Sequence, residues 1–140
     1  MGSGRIEIIE HTADIALRIH GERREDLFEQ GACGVYQVLG RLVGTGSQQD
    51  HRIVLKAQNL IYLFHDWLSE ILYWFDVRQT LFESFEFSVL QDQMLEVQVK
   101  GRKLDIDSSN IQTEIKAITY HKLDIETHPD ELVATVILDV

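Results

Sequence analysis

The chain has 140 residues, 44% hydrophobic and 26% charged, which suits one domain around one core and is too short for two ordinary domains. Thirteen Lys and Arg against 23 Asp and Glu leave a net charge of −10. That charge disfavours direct nucleic-acid binding and leaves solubility, a basic protein partner or a bound cation as its roles. A single cysteine, Cys33, excludes an intrachain disulfide and cysteine-rich zinc sites, and fits a reducing compartment.

Residues 1–4 hold no apolar segment of the kind a secretory signal requires, and are read as a disordered tail or an expression remnant before a domain spanning 5–140. Arg5–Glu10 and Asp14–His20 alternate apolar and polar side chains, which predicts two half-buried strands around His11-Thr12-Ala13. From Glu25 to Leu42 the apolar spacing changes to three and four residues, through Leu27, Phe28, Gly31, Ala32, Val35 and Leu39, which predicts a helix. Its small residues Gly31, Ala32 and Gly34 would admit a close neighbour. Residues 44–50 read as a turn-rich connection, and 51–57 as a strand.

Asn59 can cap a second helix in which Leu60, Phe64, Trp67, Leu68, Ile71, Leu72 and Phe75 share one side. His65, Asp66, Ser69 and Glu70 interrupt this run, which rules out a membrane span and predicts a buried helix. Residues 82–90, 94–100, 114–125 and 132–139 are rich in β-branched and aromatic residues at period two, with little helical patterning. The expectation is an α+β single domain, two helices packed on mostly antiparallel β-sheet of about seven strands. With no export signal and no span, a cytoplasmic location is expected.

The residues offer few chemical sites. In the last strand Val133, Thr135, Ile137 and Asp139 share a face, so Asp139 takes a place where an apolar residue is expected. Together with main-chain oxygens and the carboxylate of Val140 it makes an oxygen-rich cluster suited to a hard cation, or else a solvated strand end. Asp14 could add a carboxylate or accept from turn amides, and His11 alone specifies no site. Lys116 and His121 lie on the 114–121 run, where a lysine flanked by apolar residues snorkels to water or meets an anionic group on a partner. A P-loop, a dinucleotide-type glycine turn, an HExxH pair and a GxSxG elbow are all absent, and Cys33 reads as a small core residue.

Four blocks in order carry a resemblance: 10–18 (EHTADIALR), 66–76 (DWLSEILYWFD), 115–121 (IKAITYH) and 136–140 (VILDV). Together they resemble the archeases, from about Arg5 to Val140. The resemblance implies the archease fold and a non-catalytic accessory protein of the GTP-dependent, RtcB-type RNA ligase of tRNA splicing and RNA repair. Such a protein would promote guanylylation of the ligase's active-site histidine, permit multiple turnover and broaden nucleotide use. The resemblance also implies a metal site at Asp14, Asp139 and Val140, with Ca²⁺ the expected ion and Mg²⁺ or Mn²⁺ as alternatives. Lys116 and His121, with His11, are candidates for the surface facing the ligase. Arg102 stands where archeases often carry an acidic residue, and Leu132 where an aromatic one is common. The competing readings are a chaperone-like module, which predicts a broad exposed apolar patch, and a metal-dependent hydrolase, which needs an open coordination position beside a cleft.

Overall fold

The structure is a computed structural model in which residues 3–10 and 14–140 are described. The two alternating segments form β1 (Gly4–Glu10) and β2 (Asp14–Gly21), paired antiparallel with Ile8 opposite Leu17. Gly4 pairs with Gly21, and the Ser3 carbonyl accepts from the Glu22 N–H, so β1 begins within the first four residues. Helix α1 (Arg24–Leu39) opens with the Arg23 N–H donating to the buried Asp26 carboxylate at 3.1 Å, which occupies a donor the helix itself cannot use. The helix stops three residues short of the expected Leu42. Gly40 turns the chain at φ 141°, and a Cβ there would lie 2.2 Å from the Asn110 carbonyl oxygen.

Next come β3 (Gly40–Arg41) and β4 (Gly44–Lys56). Residues 44–50, expected as a turn-rich connection, therefore belong to a strand, although its pairing slips between Thr45 and Gln49, where Gly46 has φ 79°. Helix α2 (Leu60–Asp76) starts as expected, the Tyr62 N–H donating to the Asn59 side chain at 2.9 Å. The remaining strands are β5 (Thr80–Leu90), β6 (Met94–Leu104), β7 (Asn110–Ile111), β8 (Ala117–Ile118), β9 (Asp124–Thr127) and β10 (Leu132–Asp139). The described residues thus hold two helices and ten strands, all antiparallel where paired, against about seven strands expected. The excess comes from short pieces. Of 114–125, only 117–118 and 124–125 pair, because Lys122 at φ 54° turns the intervening chain away from β10.

The strands make a sheet in the order β1-β2-β10-β8 with β9 also on β10, a sheet β4-β6-β5, and the small pair β3-β7. Both helices lie in one core with side chains from the two larger sheets. The predicted stripe of α2 is buried from Phe64 to Phe75, and the Trp67 indole N–H donates to the Phe28 carbonyl on α1 at 2.8 Å. Phe28 meets Phe64 edge to face at 5.1 Å. Gly31 makes this approach possible, since a Cβ on it would lie 2.9 Å from the Phe64 ring. Cys33 is half-buried, and burial pushes its thiol up, away from the reactive thiolate. No helix among the described residues is long and apolar enough to cross a membrane.

Candidate functional site: a carboxylate pair at one end of the five-stranded sheet

The alternation of β2 sends Ile15, Leu17 and Ile19 into the core and leaves Asp14, Ala16 and Arg18 on the opposite face. In β10 the core residues are Ala134, Val136 and Leu138, so Thr135, Ile137 and Asp139 share that outer face. Asp139 therefore does not displace a core residue, as the sequence pattern suggested; it closes the half-exposed side of the sheet. The register sets Asp139 directly opposite Asp14, with Ile137 opposite Ala16 and Thr135 opposite Arg18. Two carboxylates opposed on one face repel, and they concentrate negative charge at the sheet end that also carries Val140.

Asp139 has a second neighbour on its other side. It pairs with Ala117, and its carbonyl oxygen accepts from the Lys116 N–H at 2.7 Å, while the Thr119 N–H donates to Ile137. That main-chain oxygen is engaged inside the sheet, which leaves the side-chain carboxylates as the outward-facing donors. Ala117 is the residue in register with Asp139, and Lys116 meets the pair through its backbone N–H; its side chain is exposed and makes no ion pair among the described residues. His121 is placed differently. It sits exposed in the turn after β8, its N–H donating to Thr119 Oγ1 at 3.2 Å, where the chain has left the ladder. His11 lies outside the described residues.

The chain that carries Lys116 is held from below by α2. His65, 7% exposed, directs Nε2–H to the Ile118 carbonyl at 2.8 Å, and its Nδ1 faces Asp66 Oδ1 at 3.0 Å. Tyr120 stacks on the His65 ring at 3.8 Å, and Tyr62 meets Tyr120 edge to face at 5.6 Å. Both tyrosines are exposed, Tyr120 at 61%. Sequence reasoning assigned His65 and Tyr120 no role. The available signal was His65 itself, an imidazole inside an otherwise apolar buried run.

At the other end of the same sheet the carboxylates are compensated. His20, 3% exposed, lies between Glu7 Oε2 at 2.7 Å and Glu131 Oε1 at 3.1 Å. The hydrogen bond from His20 holds the Glu7 carboxyl below its ordinary range, with Arg5 and Arg18 adding to the effect. Asp14 and Asp139 have no comparable partner among the described residues, although no cluster of three His, Cys, Asp or Glu side chains is arranged there for a metal. A hard cation would require the Val140 carboxylate, water or a partner's atoms beside the two aspartates. The all-oxygen donor set fits Ca²⁺, Mg²⁺ or Mn²⁺.

Comparison with known proteins gives a consistent result. The sequence profile of the Archease protein family (MTH1598/TM1083) matches residues 6–140. A protein archease of Methanosarcina barkeri is 34% identical over 138 residues, 96% of this chain and 94% of that one. Another, from Methanopyrus kandleri, is 31% identical and covers 96% and 98%. The crystal structure of an archease, described as a possible chaperone, from Thermotoga maritima superposes with a TM-score of 0.71 at 26% identity, covering 94% of each chain. The solution structure of Methanobacterium thermoautotrophicum protein 1598 has the same fold, with a TM-score of 0.73 at 23% identity over 96% of this chain and 98% of that one. With the profile spanning nearly the whole chain and relatives covered almost end to end, the protein belongs to the archease family.

Proposed function

We propose that this chain is a non-catalytic cytoplasmic accessory protein of an RtcB-type RNA ligase, promoting the ligase's guanylylation so that it turns over repeatedly and accepts a wider range of nucleotides. The observation that carries the reading is the direct opposition of Asp14 and Asp139 at an exposed sheet end, where the Lys116 N–H bonds the Asp139 carbonyl. Family membership supports it. The acidic balance of the chain also suits docking on an RNA enzyme, whose own surface must attract phosphate, better than binding RNA directly.

In this reading Asp14, Asp139 and Val140 would hold a divalent cation, Ca²⁺ by preference, which supplies positive charge where two carboxylates otherwise repel. The aspartates fix the start of β2 against the end of β10. Lys116, fixed through its N–H to Asp139, offers an ammonium to an anionic group of the ligase or its nucleotide. His121 and His11 would belong to the rim of the same surface. A chaperone-like role is the second reading, favoured by the exposed aromatic pair Tyr62 and Tyr120 and the exposed Ile8 and Ile9 on edge strand β1.

The test is RNA ligation by the cognate ligase at limiting enzyme with GTP, with no addition, with this protein, or with its Asp14→Ala variant. Conversion rising from about one turnover to many only with the unaltered protein is the expected result. A melting curve for Asp14→Ala and calorimetric titration of both proteins with Ca²⁺ separate loss of the site from loss of the fold. Full activation by a folded Asp14→Ala would refute the role of the carboxylates. No activation by either protein of an active ligase would remove the accessory role and bring the chaperone reading forward.

A further inference from the structure

A second feature lies in the other large sheet. The slip in β4 opens a cavity of about 90 Å³ between β4, β6 and the connection after α2. Arg78, Arg102 and Lys103 line it, three of the chain's 13 Lys and Arg residues, and none of its 23 acidic residues does. The neutral part of the lining is also rich in donors, from Ser47, Gln49 and His51. Such a concentration of cations is unexpected by composition in a chain with a net charge of −10.

The cations are positioned rather than neutralised. The Arg78 guanidinium lies 4.5 Å over the Trp74 ring and has no carboxylate partner among the described residues. Trp74 is in turn fixed by its indole N–H to Glu70 Oε2 at 3.0 Å and by His51 packed on it at 4.7 Å. The Arg78 carbonyl accepts from Thr80 Oγ1 at 2.9 Å and from Lys103 Nζ at 3.2 Å, so the backbone is pinned and the lysine is drawn to the same place. Arg102 spends Nε on Glu83, at 2.7 Å, and Nη1 on the Gly46 carbonyl, also at 2.7 Å, which leaves Nη2 without a partner among the described residues. Glu83 offsets one positive charge and two remain. Gly101, between the strands, has no room for a side chain, since a Cβ would meet the Leu81 carbonyl at 2.9 Å and Thr80 Cγ2 at 3.0 Å.

We propose that this cavity binds a phosphate group, as inorganic phosphate or a phosphate monoester. Ser47, Gln49, Arg78 and Lys103 of its lining are exposed, so a tetrahedral anion reaches the cations while the remainder of a monoester stays in solvent. Two uncompensated cations match a dianion, and guanidinium N–H groups with an ammonium suit phosphate oxygens. At physiological salt, screening acts over about 8 Å, so the local cations outweigh the distant acidic surface. The site is separate from the carboxylate pair. Trp74 is nine residues beyond His65 on α2, about 13 Å along the axis.

The test is titration of the intact protein at low ionic strength with inorganic phosphate, adenosine monophosphate and succinate, followed by NMR at the Gly101 amide and the Trp74 indole N–H. The expected result is saturable binding of phosphate with a Kd below about 1 mM, weakened at least about tenfold in the folded Arg78→Ala/Lys103→Gln double variant and largely kept in Arg78→Lys. Adenosine monophosphate binding more tightly than phosphate would identify a monoester as the source of the group. Phosphate binding equally or better would identify the free anion. The proposal is overturned if phosphate does not saturate by about 20 mM, if the double variant binds as well as the parent, or if succinate binds as tightly as phosphate.

Discussion

Replacing Asp14 by Asn should raise the melting temperature in a chelator and abolish the rise that a divalent cation produces. Residues directly opposite on one sheet face have Cβ atoms about 5 Å apart. Asp139 is exposed and Asp14 only half-buried, so a water-like dielectric applies. Two unit charges at about that separation repel by roughly 0.8 kcal/mol, less in salt. For a chain of 140 residues the unfolding entropy is about 0.3 kcal/mol/K, so relief of the repulsion corresponds to a gain of roughly 2–3 °C. A cation at a hundred times its dissociation constant stabilises the parent by about 2.7 kcal/mol, near 9 °C on the same scale. The order of the two proteins should therefore invert: Asp14→Asn melts above the parent in EDTA and below it in saturating Ca²⁺. Scanning calorimetry in the two buffers reads this directly. A variant that loses stability in EDTA would show that the carboxylates are not in repulsion, and one that keeps the full Ca²⁺ shift would place the cation elsewhere.

Two other substitutions test the packing and charge of the helices. Asp76 ends α2, and burial, with a smaller contribution from Glu114, raises its carboxyl above the ordinary range. A folded pKa above the unfolded one stabilises the protein at acid pH, and that contribution is lost as pH rises through the folded pKa. Asp76 is largely exposed, so solvent screens this contribution. Asp76→Asn should be slightly more stable than the parent at neutral pH, where removing a negative charge from a helix C-terminus is by itself worth about 0.3–1 kcal/mol, and should match it at about pH 3. Urea unfolding at the two pH values checks it; a loss at neutral pH would mean that the carboxylate has a favourable partner. Gly31→Ala gains about 1 kcal/mol of helix propensity, but its Cβ would press on the Phe64 ring, itself braced by Phe28. Overpacking of this kind costs about 1–3 kcal/mol, so a net loss near 1 kcal/mol is expected by thermal melting. A gain would show that the ring can move aside.

The parts of the fold legible in the sequence were those whose burial follows a local period. The apolar spacing of α2, its Asn59 cap and the alternation of β2 depend on one face meeting one core, and the structure has each where the pattern put it. For β10 the pattern located the strand, but the core takes Ala134, Val136 and Leu138 rather than the face that carries Asp139. Residues 44–50 were not legible, because Gly, Thr, Ser and Gln resemble a loop until the far end of β6 supplies hydrogen-bond partners. Residues 114–125 erred the other way. Their β-branched alternation satisfies a strand pattern, yet Lys122 at φ 54° and the turn around it interrupt the pairing. Residue pattern alone offered the two aspartates separately, and only the family resemblance joined them into one site. Their opposition depends on a register between strands at the two ends of the chain, which no local period encodes. His65 and Tyr120 escaped for the same reason, since their stacking joins a helix to the connection after β8, with which it shares no sequence neighbourhood.

The central position of β10 sets the order in which the molecule can be assembled. Leu17 on β2 finds its ladder partner in Val136, roughly 120 positions later. On the ribosome the β1-β2 hairpin, both helices and the β5-β6 hairpin emerge while one edge of β2 is still unpaired. Neither β8 nor β9 can join the sheet before β10 arrives, because both pair with β10 rather than with each other. The last eight-residue strand thus completes three pairings at once and closes the longest loop in the chain, with the largest entropic cost of any step. Local elements can form during synthesis, but the five-stranded sheet is completed only after translation has passed its final strand.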